Sequence, residues 1–102
     1  MTHPDPTTVR DHSARQRYEL AAGDALAFID YRRDGRLVIM THAEVPPVLR
    51  GGGVGSALVE GALALVRERG EKVVPLCSFV ERYMQRHPEA RDLLADSLGS
   101  DR

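Results

Sequence analysis

Residues 37–77 read LVIMTHAEVPPVLRGGGVGSALVEGALALVRERGEKVVPLC. An apolar run is followed by a Pro-Pro break, a glycine loop from Arg50 to Ser56, an amphipathic segment and a second apolar run. This order predicts a strand, a helix and a second strand, with the loop at the start of the helix. A helix N-terminus presents free backbone N–H groups and the positive end of its dipole, and glycines let an anion approach closely. The loop is therefore predicted to bind phosphate groups.

The predicted helix runs from Val54 to Arg69, because its apolar residues form one stripe and a glycine follows its C-terminal end. A crossover of this length makes Leu37–Val45 and Lys72–Cys77 parallel strands whose C-terminal ends lie at the same edge of the sheet. Ligands bind at that edge in open α/β sheets. Glu44 and Cys77 are therefore predicted to open onto one crevice.

Two more strands are predicted before this unit. Tyr18 and Leu20 share one face of Arg17–Ala21. Ala25–Tyr31 places Leu26 and Phe28 on one side and Ala27, Ile29 and Tyr31 on the other, and Asp34-Gly35 is a strong hairpin signal. Together with Leu37–Val45 they predict a three-strand antiparallel meander. The polar stretch from Met1 to Ala14 has neither the helical nor the strand period, so we expect residues 1–14 to be a flexible tail.

Short helices are predicted after the last strand. Ser78–Arg86 carries apolar residues at helical spacing, and Pro88 favours the start of a further helix with Leu93, Leu94 and Leu98 as its apolar positions. The predicted fold class is therefore α+β. One domain is expected over residues 15–98, with a frayed C-terminus at residues 99–102.

Composition argues against several classes of function. The 102 residues carry 14 basic and 15 acidic side chains, so there is no positive excess to bind nucleic acid. The single cysteine cannot form an internal disulfide, and no apolar run reaches the roughly 20 residues of a membrane span. The four histidines are scattered, without metal-ligand spacing. We expect a cytoplasmic monomer or weak dimer with no nucleic-acid, membrane or metal partner.

The glycine loop does not match two common nucleotide-binding motifs. It lacks the Gly-Lys-Ser or Gly-Lys-Thr of a nucleoside-triphosphate P-loop. The dinucleotide pattern Gly-x-Gly-x-x-Gly fails at Ser56, and the chain is too short for a second nucleotide-binding half. The pattern that fits is Arg-x-x-Gly-x-Gly, formed by Arg50, Gly53 and Gly55.

This pattern resembles the acetyl-coenzyme A signature of the Gcn5-related N-acetyltransferase (GNAT) superfamily. The segments Thr41–Pro47, Arg50–Gly55, Val73–Cys77 and Arg86–Glu89 are similar to the small, single-domain GNAT-like proteins of the YjdJ type. The resemblance covers roughly residues 15 to 95. It implies a minimal GNAT-like fold, in which a three-strand antiparallel meander is followed by a βαβ crossover and short C-terminal helices. It also implies acetyl-coenzyme A as co-substrate.

The resemblance further implies where coenzyme A is held. The loop amides would hold its pyrophosphate, and its pantetheine arm would lie along the end of the preceding strand, near Ala43 to Val45. Arg50 either adds charge beside the phosphates or is simply a solvated side chain. The implied binding residues are Val45, Arg50, Gly51, Gly52, Gly53, Val54, Gly55 and Ser56.

Three side chains are candidates for catalysis. Glu44 matches the strand carboxylate that several GNAT enzymes use as base, and His42 shares its strand face and could orient it or replace it. Cys77 stands where the family pattern more often leads to a tyrosine. In the small GNAT-like group this cysteine is thought to belong to the active site, where it could take the acetyl group first. Each residue also has a structural alternative: a surface carboxylate, a hydrogen-bonded histidine and a buried thiol.

Three functions remain open at this point. The first is an acetyl-coenzyme A-dependent N-acetyltransferase that acts on a primary amine, either a small molecule or a protein. The second is a non-catalytic module that binds coenzyme A or acyl-coenzyme A, and the third is an interaction domain without a ligand. The helices that wall the acceptor site in longer GNAT enzymes have no room between Tyr18 and Leu26, so the acceptor side is expected to be open or shallow.

Overall fold

A computed structural model describes residues 4–95. The strands are β1 Arg10–His12, β2 Arg17–Ala22, β3 Ala25–Asp34, β4 Leu37–Glu44 and β5 Lys72–Pro75. They form one sheet in the order β1-β2-β3-β4-β5, with antiparallel pairs throughout except for the parallel pair β4 and β5. The predicted α+β class and the βαβ crossover are confirmed. The α-helices are α1 Val54–Glu68 and α2 Ser78–Arg86, and 3-10 helices span Pro6–Thr8, Ser13–Arg15, Pro47–Leu49 and Pro88–Leu93.

The prediction of a flexible tail over residues 1–14 is wrong for residues 4–14. Strand β1 pairs with β2, so the antiparallel part of the sheet has four strands rather than three. Val9 is buried, and Gly61 in the middle of α1 makes room for it. A side chain at Gly61 would overlap the carbonyl oxygen of Pro6 and the side chain of Val9. Val9 stands alone among polar residues, so this segment shows no helical or strand period by which its structure could be predicted.

Helix α1 covers the apolar face of the sheet. Gly53, with φ of 85°, stands immediately before it, and Gly70, with φ of 69°, follows its last turn. Both glycines adopt the left-handed conformation that side chains disfavour. The packed core joins sheet residues to one stripe of α1 and consists largely of Tyr18, Leu20, Ala27, Ile29, Tyr31, Val38, Met40, Leu58, Val59, Ala62 and Val66.

Strand β4 carries a bulge that changes which side chains face the core. Asp30 pairs with His42 whereas Tyr31 pairs with Met40, so Thr41 has no partner on β3. An extra residue of this kind reverses the alternation of side chains beyond it. Met40 is therefore fully buried while His42, two positions later, is exposed.

The C-terminal segment departs from its prediction in two places. Strand β5 ends at Pro75 instead of Cys77, because proline has no N–H to continue the ladder. The segment after α2 is a 3-10 helix from Pro88 to Leu93, and Leu94 forms an isolated bridge with Val73. Leu98 and the predicted frayed end at residues 99–102 lie outside the described residues.

Ion pairs tie β1 to the end of the sheet that lies away from the glycine loop. Arg33 Nη2 lies 3.1 Å from Asp11 Oδ2, and Arg33 Nε lies 2.8 Å from Glu71 Oε2. Hydrogen bonding to Glu71 raises the pKa of the Arg33 guanidinium. Tyr31 Oη donates to Asp11 at 2.5 Å, and burial together with this bond raises the pKa of Tyr31 to about 12. This network is structural, since it connects β1, β3 and the α1–β5 connection.

Candidate functional site

Strands β4 and β5 pair over four residues and then separate. Their register ends at Met40 and Pro75, and the N–H groups of Leu76 and Cys77 both donate to the Met40 carbonyl at 3.0 Å. Beyond this point His42–Glu44 pair with β3 alone among the described strands. One edge of β4 is therefore open to an extended ligand, which could use its free backbone groups.

An open groove of about 680 Å³ lies along this edge. It reaches from the end of β4 to the first turn of α1, where the glycine loop stands. Its walls include His42, Ala43, Glu44, Val45, Pro46, Pro47, Arg50, Gly51, Gly55 and Phe79. The structure thus brings together two of the three predicted catalytic residues and four of the predicted binding residues, Val45, Arg50, Gly51 and Gly55.

His42 and Glu44 form a side-chain pair on the groove wall. His42 Nε2 lies 3.0 Å from Glu44 Oε2, as their predicted shared strand face requires. Their side chains are 54% and 61% exposed, so either group can reach a molecule in the groove. The bulge at Thr41 is what turns this pair away from the core.

The glycine loop is fastened to the end of β4. Arg50 Nε donates to the Val45 carbonyl at 2.9 Å, across the 3-10 helix Pro47–Leu49. Gly51 and Gly53 both have φ of 85°, which shapes the turn into α1. As in every α-helix, the first N–H groups have no carbonyl partner within the helix, and here they lie beside the groove.

The other predicted binding residues face different surroundings. Gly52 and Val54 line a second groove of about 580 Å³ on the side of the loop toward the β2–β3 turn. Val54 is 6% exposed because its side chain packs in the core, so only its amide is offered to a ligand. Ser56 lines a smaller groove beside α2, and Gly53 lines none of these three grooves.

Cys77 does not line the groove that contains Glu44, and a crevice shared by these two residues stays a prediction. Cys77 is half-buried and packs against the core, immediately before α2. The reason is the early end of β5: the chain has left the sheet at Leu76, and the Cys77 carbonyl already accepts the Glu81 N–H at 3.0 Å.

Comparison with known proteins identifies the family to which this geometry belongs. The model of the GCN5-related N-acetyl-transferase family matches residues 17–93. The chain belongs to the GCN5-related N-acetyltransferase family. It is also 34% identical over 53 residues to Protein NATD1 of Gallus gallus, Mus musculus and Homo sapiens. These 53 residues are 52% of this chain and 47–48% of those proteins. The chain thus spans about half the length of the curated relatives it matches. The finer YjdJ assignment stays a prediction.

Two features of this GNAT-family site are absent from the sequence predictions. The bulge at Thr41 decides the orientation of His42 and Glu44, and no residue type marks it. Phe79 forms the groove wall opposite β4, where a Cβ placed on Gly55 would lie 2.6 Å from Phe79 Cζ. The neighbouring Val80 and Met84 signalled a buried helix stripe, whereas Phe79, 39% exposed, lies beside that stripe.

In the part of the chain from residue 4 to residue 95, no three His, Cys, Asp or Glu side chains are grouped so that they could hold a metal ion. None of its helices combines the length and apolar character that crossing a membrane requires.

Proposed function

We propose that this chain is an acetyl-coenzyme A-dependent N-acetyltransferase that acts on a primary amine. The observation that carries the proposal is the separation of β4 and β5 beside the glycine loop at the start of α1. Membership of the GCN5-related family supports an acyl-transfer reaction in general. The nature of the acyl donor and of the acceptor is the further step that we propose.

Coenzyme A fits the groove in its chemistry and its shape. Its diphosphate is an anion, and the amides of Gly51–Ser56 lie at the positive end of the α1 dipole. The glycines leave the backbone accessible: a Cβ at Gly51 or Gly53 would meet no atom within 4 Å. Its pantetheine arm contains two amide groups, which would match the free backbone groups at the end of β4, from Thr41 to Glu44.

The reaction needs a proton acceptor beside the amine. The amine nitrogen forms a bond to the thioester carbonyl carbon, the carbon–sulfur bond breaks, and the coenzyme leaves as a thiolate. Glu44 is proposed to accept the proton that the amine nitrogen loses. His42, at 3.0 Å from the carboxylate, would hold Glu44 in place and share the charge change. The thiolate leaves with the coenzyme and is protonated by solvent.

Direct transfer is the route that we propose. Cys77 is half-buried and does not line the groove, so an acetyl-cysteine step would require its sulfur to reach the thioester from the core side. Mass spectrometry of the chain after incubation with acetyl-coenzyme A separates the routes. A single acetyl group on Cys77, together with loss of turnover in Cys77→Ala, would replace direct transfer by the covalent route.

One observation favours a second function, a non-catalytic coenzyme A-binding module. The Glu44 carboxylate is 61% exposed, so water competes with an acceptor for it. Thiol release from acetyl-coenzyme A, followed over time with and without a panel of amines, distinguishes the two functions. Amine-dependent release that falls in Glu44→Gln supports the enzyme, whereas binding without release supports the module. A cytoplasmic location, a monomeric or weakly dimeric state and a small-molecule or protein acceptor remain predictions.

A further inference from the structure

A small basic groove lies beside the coenzyme groove, between the first turn of α1 and the exposed side of α2. It measures about 150 Å³ and is lined by Ser56, Phe79, Arg82, Tyr83, Arg86 and His87. Phe79 is a wall of both grooves, and Ser56 follows Gly55 of the larger one. The basic groove therefore begins where the glycine loop ends.

The two arginines of this groove are placed to act together. Arg82 and Arg86 are four residues apart on α2, which puts them on one side of the helix. Within residues 4–95 neither side chain makes an ion pair or a side-chain hydrogen bond, in contrast to Arg33, Arg50 and Arg67. Two unpaired guanidinium groups facing one groove indicate an anionic ligand.

His87 and Ser56 also line the basic groove, and neither adds a free positive charge to it. The His87 ring stacks on Tyr83 at 3.9 Å between centroids, and its Nδ1 lies 3.1 Å from Glu89 Oε2. We therefore give His87 no part in binding the anion. The Ser56 hydroxyl adds a neutral donor at the α1 end of the groove.

We propose that Arg82 and Arg86 bind the 3′-phosphate of coenzyme A, and that they make the chain select the coenzyme over its 3′-dephospho form. The inference rests on the proposed function, since it places the diphosphate at Gly51–Ser56. From there the ribose of the nucleotide is the next group along the ligand, and Phe79 lines both grooves. The 3′-phosphate is the only other charged group of the molecule, and the arginine pair supplies the opposite charge.

Isothermal titration calorimetry of the full chain with coenzyme A and with 3′-dephospho-coenzyme A tests this. The wild type should bind coenzyme A roughly tenfold more tightly, as two solvent-exposed charge pairs allow. In Arg82→Gln/Arg86→Gln the preference should disappear, with affinity for the dephospho form unchanged. Arg15→Gln/Arg32→Gln removes the same charge from exposed positions that line none of the grooves described above, and it should keep the preference.

The outcomes separate this inference from the proposed function. Equal affinity of the wild type for both ligands overturns the inference and leaves coenzyme A binding intact. Equal losses for both ligands in the α2 double variant also overturn it, because the arginines would then serve another part of the ligand. If neither ligand binds the wild type, the proposed function fails together with the inference.

Discussion

Replacing Gly61 by alanine tests whether the N-terminal segment packs on α1 as described. In an exposed helix interior, alanine in place of glycine stabilises by about 1 kcal/mol. At Gly61 the new Cβ would overlap the Pro6 carbonyl oxygen and the Val9 side chain. The segment would have to move away, which exposes Val9 at a cost of about 1.5–3 kcal/mol. Because the gain offsets part of this cost, we expect Gly61→Ala to lower the free energy of unfolding by about 0.5–2 kcal/mol.

Urea denaturation followed by circular dichroism measures this change. Ala64→Gly is the matched control, since Ala64 is exposed on the same helix. It measures the difference in stability between glycine and alanine at a helix position that does not face the N-terminal segment. Amide hydrogen exchange adds a local readout, because displacement of the segment should remove protection in β1 and leave it in β3. A Gly61→Ala protein that is more stable than the wild type by about 1 kcal/mol would refute the docking of residues 4–12.

Further predictions concern the site and the ion-pair network. Glu44→Gln should lower kcat/KM by about 10²–10⁴-fold if Glu44 is the general base. The affinity for coenzyme A, measured by calorimetry, should not change. An unchanged kcat/KM would show that Glu44 is not the general base. Gly53→Ala should weaken coenzyme A binding and cost about 1 kcal/mol or more of stability, because φ at Gly53 is 85°. Gly52→Ala is its control, since φ at Gly52 is not positive and the nearest atom to its Cβ is 3.8 Å away; equal effects of the two changes would contradict the reasoning. The pKa of Tyr31 is raised from 10.0 to about 12, so its stabilising contribution is complete below pH 10 and is lost as the pH rises from 10 to 12. In urea denaturation between pH 10 and 12, the free energy of unfolding should fall less steeply with pH for Tyr31→Phe than for the wild type. Identical slopes would show that Tyr31 is not responsible for the loss of stability.

Local pattern was sufficient for most of the fold. The apolar stripe of Val54–Glu68 and the glycine after it determine α1 almost without tertiary context. The alternation in β2 and β3 likewise placed Tyr18 with Leu20, and Ile29 with Ala27 and Tyr31, on shared faces, and these are the faces that the structure buries. Strand β1 was missed because it is short and its stability comes from contacts distant in sequence, chiefly those of Val9 with α1.

The candidate site was predictable in its chemistry and less so in its geometry. Residue types and spacing were enough to group His42, Glu44 and the glycine loop. The bulge at Thr41 depends on register with β3, which no local pattern encodes. The position of Cys77 depends on where β5 ends. Pro75 alone does not predict that end, because proline is tolerated at the edge of a sheet.

The most direct test of the central claim is a crystal structure of the chain with coenzyme A bound. The claim is that the loop amides and the open edge of β4 together hold the coenzyme. It predicts diphosphate oxygens within about 2.7–3.2 Å of amide nitrogens between Gly51 and Ser56. It also predicts pantetheine alongside β4 between Thr41 and Val45. A diphosphate bound elsewhere on the chain, or no bound coenzyme at saturating concentration, would contradict the account.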